Sequence, residues 1–193
     1  MTMKRFSILA AVFALFTTLA SAQATTWAVD GAHSNVEFSI KHLGLSNVHG
    51  RFGKVSGTIV YNAADATKSS VNVSIDVAGL DTGMEPRDNH LKTPDFFDTA
   101  KQPTATFAST SVVKDGSGLK VTGNLTLHGV TKPVVLSVDA PSTATSPMDH
   151  KQHSGFSATA TINRKDFNVG ANFPEAILSE AVKLTIEVEA VQQ

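Results

Sequence analysis

The chain contains no cysteine among its 193 residues. That absence excludes disulfides, thiolate metal sites, a cysteine nucleophile and a lipid-acylated cysteine. It also lacks basic runs: its 16 Lys and Arg residues and 17 Asp and Glu residues are scattered. Nucleic acid needs a concentrated positive face, so it is a poor partner. The recurrent catalytic signatures are missing as well, with no G-x-S-x-G, no H-E-x-x-H, no glycine-rich phosphate loop and no locally placed carboxylate pair. The chain therefore reads as a non-enzyme without a cofactor. The alternative is a hydrolase or metal-dependent enzyme whose His, Arg and Asp residues converge from distant segments.

Only the N-terminus is strongly apolar over any length. Lys4 and Arg5 precede a run from Phe6 to Ala20, and Ala20-Ser21-Ala22 follows. A positive start, an apolar stretch and a small-x-small site form the grammar of a cleaved export signal. Cleavage after Ala22 would leave residues 23–193 as one domain outside the cytoplasm. Without Lys4 and Arg5 that domain has 14 bases against 17 acids, a net charge of −3. No later stretch has the roughly 20 apolar residues of a spanning helix, so no stable membrane insertion is expected.

What is present after residue 22 is alternation with period two. Val71, Val73, Ile75 and Val77 interleave with polar residues, as do Leu119, Val121, Leu125 and Leu127, and Val182, Leu184, Ile186 and Val188. Weaker versions cover 35–41, 55–61, 104–113, 134–138 and 156–162. One buried and one wet face marks antiparallel sheet. Eight serial strands joined by short turns predict an all-β, up-and-down antiparallel barrel. One segment, Met84 to Thr99, lacks alternation. Pro86 can open a short helix and Pro94 stop it, which predicts a helical flap between strands 3 and 4 that carries Phe96 and Phe97. Ala140 to Ser154 reads as an exposed loop. A barrel closes its own strand edges, so no dimer is demanded.

In such a barrel alternate connections share a rim. One rim collects 41–50, the flap, 128–132 and 163–174, which are dense in His, Arg, Asp, Gly and Phe; the other holds ordinary turn material. Function is expected at the first. The inward positions are apolar: Phe38, Ile40, Val73, Ile75, Phe107, Leu125, Leu127, Phe156, Ala158, Ala160, Ile162, Leu184 and Ile186. Eight strands enclose a lumen that side chains can fill or that one slender ligand can occupy. Composition leaves a packed dry core and an apolar channel both open.

The segments WAVDGAHSNVEFSIKHLG, RDNHLKTPDFFD, PTATFAST, LTLHGVTKPV and INRKDF, in this order from Trp27 onward, resemble the YceI-like family of periplasmic proteins. The resemblance implies a lipocalin-like barrel that binds an isoprenoid lipid, a quinone or prenyl phosphate, inside. It places the chain's lining residues around the hydrocarbon, with Arg87 and His90 at the polar head and Phe96 and Phe97 over the opening. Gln102 and Asn168 depart from the family pattern, where an aromatic residue and a glycine are expected. Arg87 or Asp88 could instead pin the flap to the rim through a structural salt bridge, and Arg164 with Asp166 could be a pair that fixes a tight turn. The Met148–His153 stretch (MDHKQH) has metal-permissive spacing but reads as a solvated loop, and hydrogen-bonded turns account for His33, His42, His49, His90 and His128. No metal site is expected.

Overall fold

The computed structural model describes residues 23–193; the expected signal segment lies outside them. Eleven strands form one antiparallel sheet: β1 (Thr25–Val29), β2 (Asn35–His42), β3 (Ser46–Arg51), β4 (Val55–Tyr61), β5 (Ser70–Asp76), β6 (Thr104–Asp115), β7 (Gly118–Leu127), β8 (Val130–Val138), β9 (Ser142–Thr145), β10 (Gln152–Asn163) and β11 (Leu178–Gln192). One helix, α1 (Glu85–Leu91), lies between β5 and β6. The strands make up a closed barrel of eight staves. β1 and β2 both run along β11, paired through Trp27↔Gln192 and Phe38↔Leu184, so they act as one stave broken at residues 30–34. β3 and β4 likewise form one stave broken at residues 52–54, with β3 on β2 and β4 on β1.

Those two breaks displace the expected strand count. The helix was expected between strands 3 and 4, yet it follows β5, because each of the first two staves is split into two hydrogen-bonded strands. β3 also occupies residues assigned to a rim connection. β9 takes up part of the stretch expected to be a loop, pairing through Thr143↔Ser154.

Closure comes from β11. It pairs with β10 over eleven positions, from Asn163↔Ala181 to His153↔Val191, and with β1 and β2 on its other edge. Alternation then carries every second side chain inward: along β7, Leu119, Val121, Leu125 and Leu127 are buried while Lys120 and Asn124 are exposed. β8 meets β10 only at Val138↔Ala158 and Ser137↔Thr159, and the two strands splay beyond those pairs.

The tight turns follow their sequences. Leu127 pairs with Val130, and the two loop residues His128 and Gly129 both have positive φ, 51° and 74°. That is the hairpin geometry whose twist matches the strands, and it favours glycine at the second position. Gly129→Val should therefore lower stability by about 1–2 kcal/mol, read as a reduced midpoint in chemical denaturation with an unchanged m-value.

Candidate functional site

The barrel is hollow. Two adjoining apolar chambers share the side chains of Val36, Ile75, Leu125 and Leu184 at a waist. The chamber beneath α1 has a volume of about 270 Å³, and the one toward the opposite rim about 120 Å³. Each far exceeds the roughly 10–15 Å³ that one water needs. Part of the room comes from glycine. A Cβ on Gly50 would collide with the Phe38 ring, and one on Gly123 with the Phe107 ring. Both rings therefore lie against bare backbone and leave the lumen open.

Most residues expected to line the barrel border these chambers. Phe38, Ile40, Leu127 and Ile162 face the flap chamber; Val73, Phe107, Phe156, Ala158 and Ile186 face the other; Ile75, Leu125 and Leu184 face both. Ala160 does not border either one. It is buried in the core, at 8% exposure, and its other side meets a shallow outer groove where β8 and β10 part. Several wall residues escaped the sequence reading. Phe52 falls in the break between β3 and β4, and Phe173 falls in a connection, so neither carries an alternation signal. Trp27 and Tyr61 belong to the wall of the second chamber. The Trp27 Nε1 is buried there without a partner among the described residues.

The flap closes the larger chamber. Phe96 and Phe97 are buried at 6% and 8% exposure. Phe97 meets Phe52 edge-on, with ring centres 5.7 Å apart, and Phe52 meets Phe38 at 5.3 Å. On the other side Phe96 packs on Phe173 at 5.0 Å and on the exposed His90 ring at 4.9 Å. Leu43, Leu45 and Ile177 stand 51%, 81% and 41% exposed on the same rim, so the opening has an apolar edge.

Neither Arg87 nor Asp88 forms a salt bridge to the rim among the described residues. Both hold Thr82: Asp88 Oδ1 accepts from its backbone N–H and hydroxyl, while Arg87 donates from Nε to Oγ1 at 2.7 Å and from Nη2 to the carbonyl at 2.8 Å. This network ties the start of α1 to the chain entering it. Arg87, His90 and His42 all border the flap chamber, so its polar groups gather beneath the flap.

Arg164 is 2% exposed and also makes no pair with its expected partner, Asp166. Its guanidinium donates to the carbonyls of Ser179, Val169, Gly170, Phe173 and Leu178, all in the connection before β11 or at its start. Burial lowers its pKa from the ordinary value, with the negative charge of Glu180 opposing that shift. All five donors serve the backbone, so Arg164 clamps the connection that carries Phe173. At the same turn, Asn168 adopts a left-handed backbone with φ 58°, which asparagine tolerates better than most residues; the departure from glycine is accommodated there. Arg164→Met would orphan these carbonyls and is expected to cost about 3–5 kcal/mol, or roughly 10 °C in Tm, measured by calorimetry.

Beside this clamp, Lys165 and then Asn163 bond the Glu180 carboxylate and hold its pKa below 4.5. A depressed folded value stabilises the protein above the unfolded pKa, and that contribution disappears as pH falls through the folded one. The stability gap between wild type and Glu180→Gln should therefore be open at neutral pH and close below pH 4.5, as followed by denaturant midpoints across pH.

The histidines expected in separate turns divide. His128 Nδ1 bonds the Phe167 carbonyl at 3.1 Å and joins two connections. His33 and His153, remote in sequence, both reach the outer wall near Glu189 at the opposite rim. Among the described residues, no helix is long and apolar enough to cross a membrane.

Comparison with known proteins places this architecture. Residues 27–190 match the YceI-like domain family. The protein YceI of Escherichia coli O17:K52:H18 is 43% identical over 190 residues, covering 97% of this chain and 98% of its own. The crystal structure of Burkholderia cenocepacia BcnA superposes with a TM-score of 0.73 at 28% identity, over 83% of this chain and 98% of that one. A polyisoprenoid binding domain from Saccharophagus degradans shares the fold, with a TM-score of 0.63 at 19% identity over 88% and 99% of the two chains.

Proposed function

The chain belongs to the YceI-like family, and on that footing we propose that it is a periplasmic lipid-binding protein that holds an isoprenoid chain, of the quinone or prenyl phosphate type, inside its barrel. The observation that carries this reading is the pair of adjoining apolar chambers beneath an aromatic flap. From Leu178 to Ala190 the lumen runs roughly 30 Å, given the strand rise and tilt of such barrels. That length suits a chain rather than a compact ligand. At about 0.8 kcal/mol for each buried CH₂, a few isoprene units supply the roughly 8 kcal/mol of micromolar affinity. The fold relative in Saccharophagus degradans, a polyisoprenoid binding domain, supports the same hydrocarbon class.

The polar head belongs under the flap. Arg87 uses Nε and Nη2 on Thr82, while Nη1 has no hydrogen-bond partner among the described residues and is available to a phosphate or quinone oxygen. His90 borders the same chamber. The protein acts as a carrier, store or scavenger, its site being shaped for the burial of an apolar chain.

Protein exported in a Gram-negative host, purified without detergent and extracted with organic solvent, should release a near-stoichiometric isoprenoid detectable by mass spectrometry. The single tryptophan, Trp27, lines the second chamber, so a quinone added to delipidated protein should quench its fluorescence. Ala158→Phe fills that chamber and should abolish quenching, at a stability cost of about 1–3 kcal/mol. A folded Ala158→Phe protein with full quenching would count against a ligand inside the barrel.

A further inference from the structure

We propose that Asp30, His33 and Glu189, with His153 beside them, form a binding site on the outer barrel wall for a late first-row divalent transition ion such as zinc. One ligand atom from each of Asp30, His33 and Glu189 lies within 4.8 Å of the others. The residues come from the break between β1 and β2 and from the far end of β11, which the barrel brings together. His33 Nδ1 sits 2.8 Å from Asp30 Oδ2, and His153 Nδ1 sits 2.7 Å from Glu189 Oε1. The His33 imidazole is thus oriented by a carboxylate with Nε2 left for an ion, the arrangement that fixes ring and tautomer at metal centres. His153, held by Glu189 at Nδ1 and by Asp149 Oδ2 at Nε2 (3.2 Å), braces the Glu189 carboxylate from beside the site. An imidazole with two carboxylates suits zinc, nickel or copper. Calcium, which collects six to eight oxygens, is poorly served.

The scaffold holds these groups in place without the ion. Asp30 N–H donates to the Glu189 carbonyl at 2.8 Å, and the Ser34 hydroxyl both donates to that carbonyl and accepts from the Glu189 N–H. Ser34 is 8% exposed, so the bend carrying Asp30 and His33 is locked onto the strand carrying Glu189. The Ala32 N–H occupies Asp30 Oδ1 at 2.8 Å and directs Oδ2 toward the histidine. The site lies on the outside of the wall, near the rim opposite the flap, and is independent of the lipid reading.

The test is calorimetric titration of the untagged mature protein with zinc chloride after treatment with chelator. The expected result is one equivalent bound, weakened at least about tenfold by either Asp30→Asn or Glu189→Gln, since even outer-sphere partners of a metal typically matter by that factor. His150→Ala, in the neighbouring loop, should leave the affinity unchanged. Circular dichroism melting of both near-isosteric variants confirms that they fold, and cobalt substitution should give a visible absorption band in the wild type alone. No zinc uptake by the wild type, or equal uptake by folded wild type, Asp30→Asn and Glu189→Gln, would overturn the site.

Discussion

The hydrogen bonding of β11 on both edges is the constraint on which the rest depends. A sheet that ends in free edges can flatten, pair with another copy or close one face with helices. A sheet whose last strand bonds both β10 and the β1–β2 stave has none of those choices. Its inner face must look at itself across a lumen, and the number of staves sets the width of that lumen. Hollow or filled is then decided by side-chain volume alone. Glycines behind Phe38 and Phe107 let these two inward rings lie against the wall, so the lumen stays open.

Closure also creates two rims with different chemistry. Strands that run up and down return the longer connections to one end, where α1 and the segment before β11 meet over the opening. The α1 connection meets the sheet at the Arg51–Asp81 bridge, and each connection is further held by an arginine donating to backbone carbonyls. Arg164 gathers five carbonyls, and Arg87 joins Asp88 on Thr82. A buried guanidinium is costly to desolvate, and multiple carbonyl acceptors are the means by which it is tolerated without a carboxylate in contact. The flap is consequently an ordered cover with an aromatic underside, and the polar groups of the chamber are confined to that end.

The stave breaks account for what the linear reading misplaced. Val36, Phe38 and Ile40 follow the alternation and point inward, as do Leu125, Leu127, Leu184 and Ile186. Phe52 and Phe173 sit where the period is interrupted, so no alternation announces them, although they complete the aromatic cover. Ala160 keeps the right parity, yet borders neither chamber, because β8 and β10 splay apart beside it. The pairing of Arg164 with Asp166 was reasonable from their spacing and is absent from the fold, where the tight turn aims the guanidinium at carbonyls instead.

Period two, turn chemistry and the order of segments were properties of the sequence alone, and they determined an antiparallel barrel with one flap, its inward face and its membership of a family. They could do so because side-chain parity and turn geometry are local, set by residues one to four positions apart. Tertiary structure alone decided the split of the first two staves, the volume of the chambers, the partners of Arg87 and Arg164, and the meeting of His33 with Glu189 across 156 positions. Those depend on strand register and closure, and closure is a relation between the two ends of the chain that no window of sequence contains.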